Sequence, residues 1–440
     1  MSRSPSGETH VPVRLAWLDL LRGVAALVVA LHHATYYFTP RLRTHMVGWF
    51  DPGVYGVLVF FLVSGYIVPA SLERHGRVRN FWISRLTRIY PMLTVACAVM
   101  VMPSVLGIRD LRAGLNAYEP VSAVLAHLTM LQDVLGVPNV INVLWTLSYE
   151  MLFYLLVVAF FVTGVHRRSG PIAVVLVSAA VLAGGLLPMA ALTKAAGVWQ
   201  VVVLTALVMA AAIAGAVSGR PVLRTIGGIA GGVLAIVLVM VNGRVGPWEG
   251  LVILSVMFTG TALYRAEHGQ ISKRAAALWA GLVLTGAIAA GVWHAEIGMS
   301  PAQADAFQVY WVGSVLLAAL TFAAGWALRS RRIPSWLTAL GTISFSLYLL
   351  HQVLLMLNDQ FLGTPDHDDA ARLGVFVVVL VAVSAFTYRY VEVPFQRLGR
   401  RLNHRPVTPA QVPAGTAAPA PSPGRQNPAS EAVRSQGPSI

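Results

Sequence analysis

Asp19, Arg22, His33 and Glu150 are ionisable residues set in some of the most apolar stretches of a 440-residue chain. Residues 19–33 read DLLRGVAALVVALHH, and Glu150 lies in LWTLSYEMLFYLL. A charged side chain near the centre of a bilayer costs about 2.5–3.5 kcal/mol on insertion scales, so each of these residues needs a partner or a task. Two readings stand side by side: structural ion pairs that tie helices together, or a polar path through a membrane. On a helix, Arg22 and His33 are about three turns apart and share nearly one face, roughly 16 Å apart along the axis. Asp19 joins that face one turn earlier, Ala26 and Val29 are small enough to leave a groove along it, and His32 points about 80° away from Arg22. Imidazole titrates near neutrality, so a histidine at the end of such a face suits proton transfer.

A second group is cationic. Arg85 and Arg88 are three residues apart and share a helix face. Guanidinium forks match phosphate oxygens, although the ordinary excess of positive charge in cytoplasmic loops would also place them there. Arg74, Arg77 and Arg79 add a general attraction for a polyanion. Ser64 and Gly65 suit either close helix packing or a narrow passage. The run PDHDD at 365–369 reads as a solvated acidic loop, and the chain carries no HExxH, no cysteine pair and no P-loop, so no metal is expected. The single cysteine, Cys97, excludes a disulfide framework and reads as a small packing residue.

The elements that must position these groups are membrane helices. The chain is 56% hydrophobic and 11% charged, with a mean hydropathy of +0.68. A soluble domain is typically about one quarter charged. The formal charge of +14 comes in short bursts between apolar runs rather than on one segment, which argues against a nucleic-acid partner. A spanning helix needs about 20 apolar residues. On that basis the expected spans lie near 15–36, 53–71, 89–106, 142–164, 171–190, 198–217, 224–241, 250–264, 275–293, 308–328, 340–357 and 372–391. The stretches at 224 and 250 are the weakest, one glycine-rich and the other short. Loops that alternate from a cytoplasmic N-terminus hold most of the arginine, which predicts both termini inside and an even number of spans, ten to twelve. The first apolar stretch is too long for a cleaved leader and lacks its cleavage site. The expected organisation is an all-α polytopic bundle over 15–400, preceded by a short cytoplasmic segment, 1–14. A disordered tail, 401–440, rich in Pro, Ala, Ser and Gly, follows.

Six stretches in order resemble the membrane acyltransferase-3 family: LDLLRGVAALVVALHHA, VFFLVSGYIV, NFWISRLTRIYP, LWTLSYEMLFYLL, ISFSLYLLHQ and YVEVPFQRL. The resemblance spans roughly residues 15 to 400. It implies an integral membrane O-acyltransferase, in the plasma (inner) membrane, that moves an acyl group, most often acetyl, from cytoplasmic acyl-CoA to a hydroxyl of a carbohydrate or secondary metabolite. By resemblance His33 is the catalytic histidine, acting as base or through a transient acyl-imidazole. Arg22 is essential, lining the donor's path or pairing with Asp19 or Glu150. Glu150 orients a protonated His33 or bridges to Arg22. The resemblance gives Arg85 and Arg88 the CoA phosphates; Ser64, at a family position, suits close helix packing or else a pore for the pantetheine arm, and Tyr348 and His351 match family positions that would line the substrate cavity. Glu392 and Pro394 shape the end of the last span. The competing class is a transporter or flippase whose intramembrane charges recognise a polar substrate. Against it stand the lack of an evident internal repeat and an arginine pair better suited to a phosphate cofactor than to a gate.

Overall fold

The computed structural model describes residues 15–403, except 47, 109, 112, 113, 244 and 366, and every regular element among them is helical. The expected segment 1–14 and residues 404–440 of the expected tail lie outside the described residues. Twelve long helices build the bundle: α1 (Ala16–Phe38), α2 (Pro52–His75), α3 (Val78–Val105), α4 (Trp145–Val162), α5 (Ser169–Ala183), α6 (Val198–Val217), α7 (Pro221–Asn242), α8 (Pro247–Glu267), α9 (Lys273–Gly298), α10 (Pro301–Ala327), α11 (Ser335–Leu362) and α12 (Ala370–Thr387).

Each expected span coincides with one of these helices. Eleven are long and apolar enough to cross a membrane by length and composition. The twelfth, α8, carries Glu249, Arg265 and Glu267, and most of its length is buried in protein. A helix whose sides meet other helices rather than lipid does not need an apolar exterior, which is why the stretch at 250 is weak in hydropathy.

Contacts fix the direction of α8. A Cβ on Gly65 of α2 would lie 1.8 Å from the Met257 carbonyl oxygen, and one on Gly260 would lie 2.3 Å from that of Leu62. Further along both helices, Glu73 meets Arg265, so α2 and α8 run parallel. Ser169 at the start of α5 also reaches Arg265, whereas Gly184, just past the end of α5, packs on Trp248 at the start of α8. The two are therefore antiparallel, and α8 runs the full length of the bundle.

Arg265 is the staple of this layer. It is 1% exposed, and its five N–H groups are all used: Nε on Ser169 Oγ at 3.2 Å, Nη1 on Glu73 and on Gln270 Oε1 at 2.7 Å, Nη2 on Glu73 and on the His166 carbonyl at 2.9 Å. Nearby, Glu267 accepts from the Tyr66 hydroxyl, from Trp326 Nε1 at 3.2 Å and from Arg329 Nε at 2.9 Å.

A second close pairing joins α1 to α11. A Cβ at Gly341 would lie 1.9 Å from the Asp19 carbonyl oxygen, and one at Gly23 would lie 2.8 Å from Gly341 N. Ten residues beyond each glycine stand His33 and His351, and these also touch. Two contacts at equal intervals mean that α1 and α11 run parallel and in register. Gly56 seats α2 against the same helix, since its Cβ would lie 2.6 Å from Val29 Cγ2.

Between α3 and α4 the chain folds into a cap at the His33 end, built of the short helices Leu115–Ala117, Pro120–Leu128, Gln132–Leu135 and Asn142–Leu144. Buried Asn242 at the end of α7 holds it, donating to the Val134 carbonyl and to Thr193 Oγ1, both at 2.7 Å. Inside the cap, His127 Nδ1 lies 2.8 Å from the Ala123 carbonyl, and Nε2 accepts from the Val140 amide at 3.1 Å. The acidic loop serves helix ends. Asp368 accepts from the Arg41 and Leu42 amides at 2.9 and 2.8 Å, and Asp369 caps α12 through the Arg372 amide at 2.8 Å. After α12 a π-helical turn, Tyr388–Glu392, turns Glu392 inward, and the helix Val393–Asn403 packs Gly399 onto Thr87 of α3.

Replacing Arg265 by methionine leaves Glu73 without its partner and is expected to destabilise the protein by about 3–5 kcal/mol. An unchanged midpoint of denaturant unfolding in detergent would remove Arg265 from its structural role. A pH effect follows from His127. Burial pushes its pKa below 6.5, against the bond to the Ala123 carbonyl, which raises it; the neutral ring is the form that can both donate and accept here. Its contribution is therefore complete above pH 6.5 and is lost as pH falls through the lowered folded value. The Val140 amide should lose hydrogen-exchange protection, corrected for the intrinsic rate, between pH 7.5 and 5; constant protection would contradict this.

Candidate active site

Two cavities flank the α1–α11 pair. The larger, about 880 Å³, opens at the capped end and is lined by His33, Tyr36, Tyr37, Asp110, Asn142, Gln352 and Asp359, with Met100, Leu115 and Met356 as apolar wall. The smaller, about 30 Å³, lies at the other end and gathers Arg22, Phe60, Ser64, Arg85, Arg88, Glu150, Tyr154 and Phe345. Arg22, Ser64, Arg85, Arg88 and Glu150, four of them charged and all singled out in sequence, thus meet around one space from α1, α2, α3 and α4. His33 sits at the other space, as the helical rise between 22 and 33 requires.

The guanidinium groups of the smaller cavity differ from that of Arg265. Arg85 is 7% exposed and donates from Nη2 to Ser71 Oγ at 3.2 Å, while its buried Nε has no partner. Phe81 and Tyr154 flank it, with ring centroids 5.6 and 5.9 Å from its guanidinium carbon. Arg22 lies 5.9 Å over the Phe60 ring, and neither it nor Arg88 hydrogen-bonds to a described residue. The acids whose charge acts on Arg22 are Asp19, Glu150 and Glu392. Glu150 accepts a 2.5 Å bond from the Tyr154 hydroxyl one turn along α4. Glu392, 2% exposed, accepts from Ser346 Oγ at 2.6 Å and from Gln396 Nε2 at 3.4 Å, and Arg88 and Arg22 supply its opposing charge. Asp19 contributes its backbone to the Gly341 contact and does not line the smaller cavity.

At the other end, His33 is half-buried, with its Nδ1 3.0 Å from the Val29 carbonyl and 3.1 Å from Nε2 of His351. The two imidazoles stack, centroids 5.1 Å apart at 27°. His33 Nε2 has no hydrogen bond to a described residue and is the ring nitrogen left to the cavity. His351 is fully buried behind His33 and does not line the larger cavity. Tyr348 is buried as well, bonding Thr146 Oγ1 at 3.0 Å and donating to the Val143 carbonyl at 3.2 Å. His32 turns toward α2, its Nε2 3.9 Å from Asp51 Oδ1. A chain of ring contacts joins the two cavities: Arg22 over Phe60, Phe60 stacked on Tyr348 at 6.0 Å, Tyr348 against His351 at 5.9 Å, and His351 on His33.

Sequence reasoning passed over Phe60, Tyr154 and the buried role of Glu392. Tyr154 had a signal, since it lies four residues from Glu150 on one helix. Phe60 lies in the quoted VFFLVSGYIV stretch, but an aromatic in an apolar span is the default residue there and suggested no role. No group of three His, Cys, Asp or Glu able to hold a metal occurs among the described residues.

A family model described as an acyltransferase domain matches residues 15–389. Among curated proteins the chain is 28% identical over 156 residues to the peptidoglycan O-acetyltransferase OatA of Listeria monocytogenes, covering 32% of this chain and 23% of that protein. It is 28% identical over 164 residues to the O-acetyl transferase of Shigella phage Sf6, covering 34% and 46%. It is 29% identical over 150 residues to the acyltransferase MdmB of Streptomyces mycarofaciens, covering 32% and 38%. These matches span from about a quarter to just under half of the relatives' length. No solved structure matches the chain.

Proposed function

The chain belongs to the membrane acyltransferase-3 family, and from that premise we propose that it transfers an acyl group, acetyl in the simplest case, from acyl-CoA to a hydroxyl of a carbohydrate or secondary-metabolite acceptor. The relatives named as O-acetyltransferases support the reaction class. The observation that carries the reading is the contrast among buried arginines. Arg265 spends all five donors on protein, whereas Arg85 keeps a buried Nε unpartnered and, with Arg22 and Arg88, faces one cavity. Donors left over around a small space suit phosphate oxygens from outside the protein.

In this reading Arg85 and Arg88 hold the CoA phosphates at the cytoplasmic end, the orientation that the arginine-rich loops favour. Arg22, Ser64 and Glu150 line the way in, with the charge of Asp19 acting on Arg22. The larger cavity takes the acceptor on the opposite side of a plasma membrane. His33 Nε2 accepts the acceptor's hydroxyl proton as the oxygen attacks the thioester carbonyl. The C–S bond breaks, and the proton passes from Nε2 to the departing CoA thiolate. Tyr348 lies between Phe60 and His351 and lines neither cavity.

Purified protein given acetyl-CoA and a saccharide acceptor should transfer acetyl, and His33→Ala should abolish that transfer. Glycan transport that survives His33→Ala, with no acyl transfer under any condition, would overturn the reading in favour of a transporter. Arg88→Met should raise the KM for acetyl-CoA by about 10- to 100-fold, the worth of a hydrogen bond to a charged group, with little effect on the KM for the acceptor. An unchanged donor KM would remove the arginine pair from the CoA site.

A further inference from the structure

We propose that His351 is a positioning residue for His33: its Nε2 accepts the Nδ1–H of His33, which fixes the His33 tautomer with the Nε2 lone pair toward the larger cavity. This rests on His33 being the base.

The proton positions follow by elimination. His33 Nδ1 lies 3.0 Å from the Val29 carbonyl and His351 Nδ1 lies 3.3 Å from the Leu347 carbonyl. A carbonyl oxygen only accepts, so each Nδ1 must carry the hydrogen in a satisfied arrangement. A neutral His351 that is protonated at Nδ1 has a lone pair at Nε2, and that atom faces His33 Nδ1 at 3.1 Å. The His33 Nδ1–H is thus shared between Val29 and His351. The reverse arrangement, with His351 Nε2 donating, would set lone pair against lone pair at both carbonyls, at Leu347 beside a fully buried His351.

The Val29 carbonyl lies one turn back on the same helix, so it restrains His33 only relative to α1. His351 stands on α11 and adds a ring stacked at 27°, itself backed by Tyr348. No carboxylate hydrogen-bonds either ring among the described residues. When His33 Nε2 takes the acceptor proton, its Nδ1–H becomes the donor of a charge-assisted bond, and His351 strengthens its hold without changing its own protonation. The two glycine contacts ten residues upstream keep the pair in register.

The test compares His351→Gln with His351→Leu in the full chain. The glutamine Oε1 can take the place of Nε2 as acceptor; leucine fills similar space without one. Leucine should lower kcat about 10- to 100-fold with KM for acetyl-CoA within about twofold, and glutamine should restore most of the loss. Equal losses in both variants, or a raised KM with unchanged kcat, would overturn the proposal. Nitrogen-15 shifts of histidine-labelled wild-type protein supply a readout independent of any variant's folding. They should give His33 protonated at Nδ1, and an Nε2–H form would refute the arrangement. Acyl transfer that persists in His33→Ala would instead defeat the functional reading while leaving the tautomer result standing.

Discussion

Backbone contact between helices is the constraint on which the rest of the arrangement depends. At Gly341 the α11 backbone approaches the Asp19 carbonyl so closely that a side chain would overlap it, and Gly65 with Gly260 does the same between α2 and α8. In a bilayer there is little hydrophobic gain from bringing two apolar helices together, so association relies on close packing and polar contacts. Glycines give the first. They also act at a distance, because a rigid helix carries the register of one contact ten residues along to the next, where His33 meets His351.

Enclosure by protein then decides where charge can reside. Glu73 and Arg265 lie at one end of the glycine-packed α2–α8 pair, where each donor of the arginine finds an acceptor. In the neighbouring space between α1, α2, α3 and α4 the guanidinium groups are flanked by Phe60, Phe81 and Tyr154. Aromatic faces tolerate a cation without consuming its N–H groups. The same residue type therefore serves as a staple in one place and keeps an unspent donor in another, and the difference lies in its neighbours.

The polar cap between α3 and α4 completes the larger cavity. It places Asp110 and Asn142 around His33 by tying the loop to α7 through Asn242 and Thr193. These are uncharged or exposed groups in a connecting segment, and none belongs to the apolar pattern that marks the helices. Their contacts join residues far apart in sequence, 58 residues from Thr193 to Leu135 and 108 from Asn242 to Val134.

Much of this chain was legible as sequence because a membrane makes a harsh demand on composition: helices that face lipid must be long and apolar. All twelve helices stood out on that ground, as did Asp19, Arg22 and Glu150 within them, and the helical period placed Arg22 and His33 at opposite ends of one face. The stretch at 250–264 was the weak one, since α8 meets protein rather than lipid and its polar content diluted the pattern. What sequence could not reach was which charges meet. Glu150 with Tyr154 follows from spacing on one helix, but Arg85 beside Tyr154, Glu73 on Arg265, and His351 behind His33 depend on which helix lies against which. Apolar spans carry little information about their neighbours, and close packing at a few glycines settled those choices.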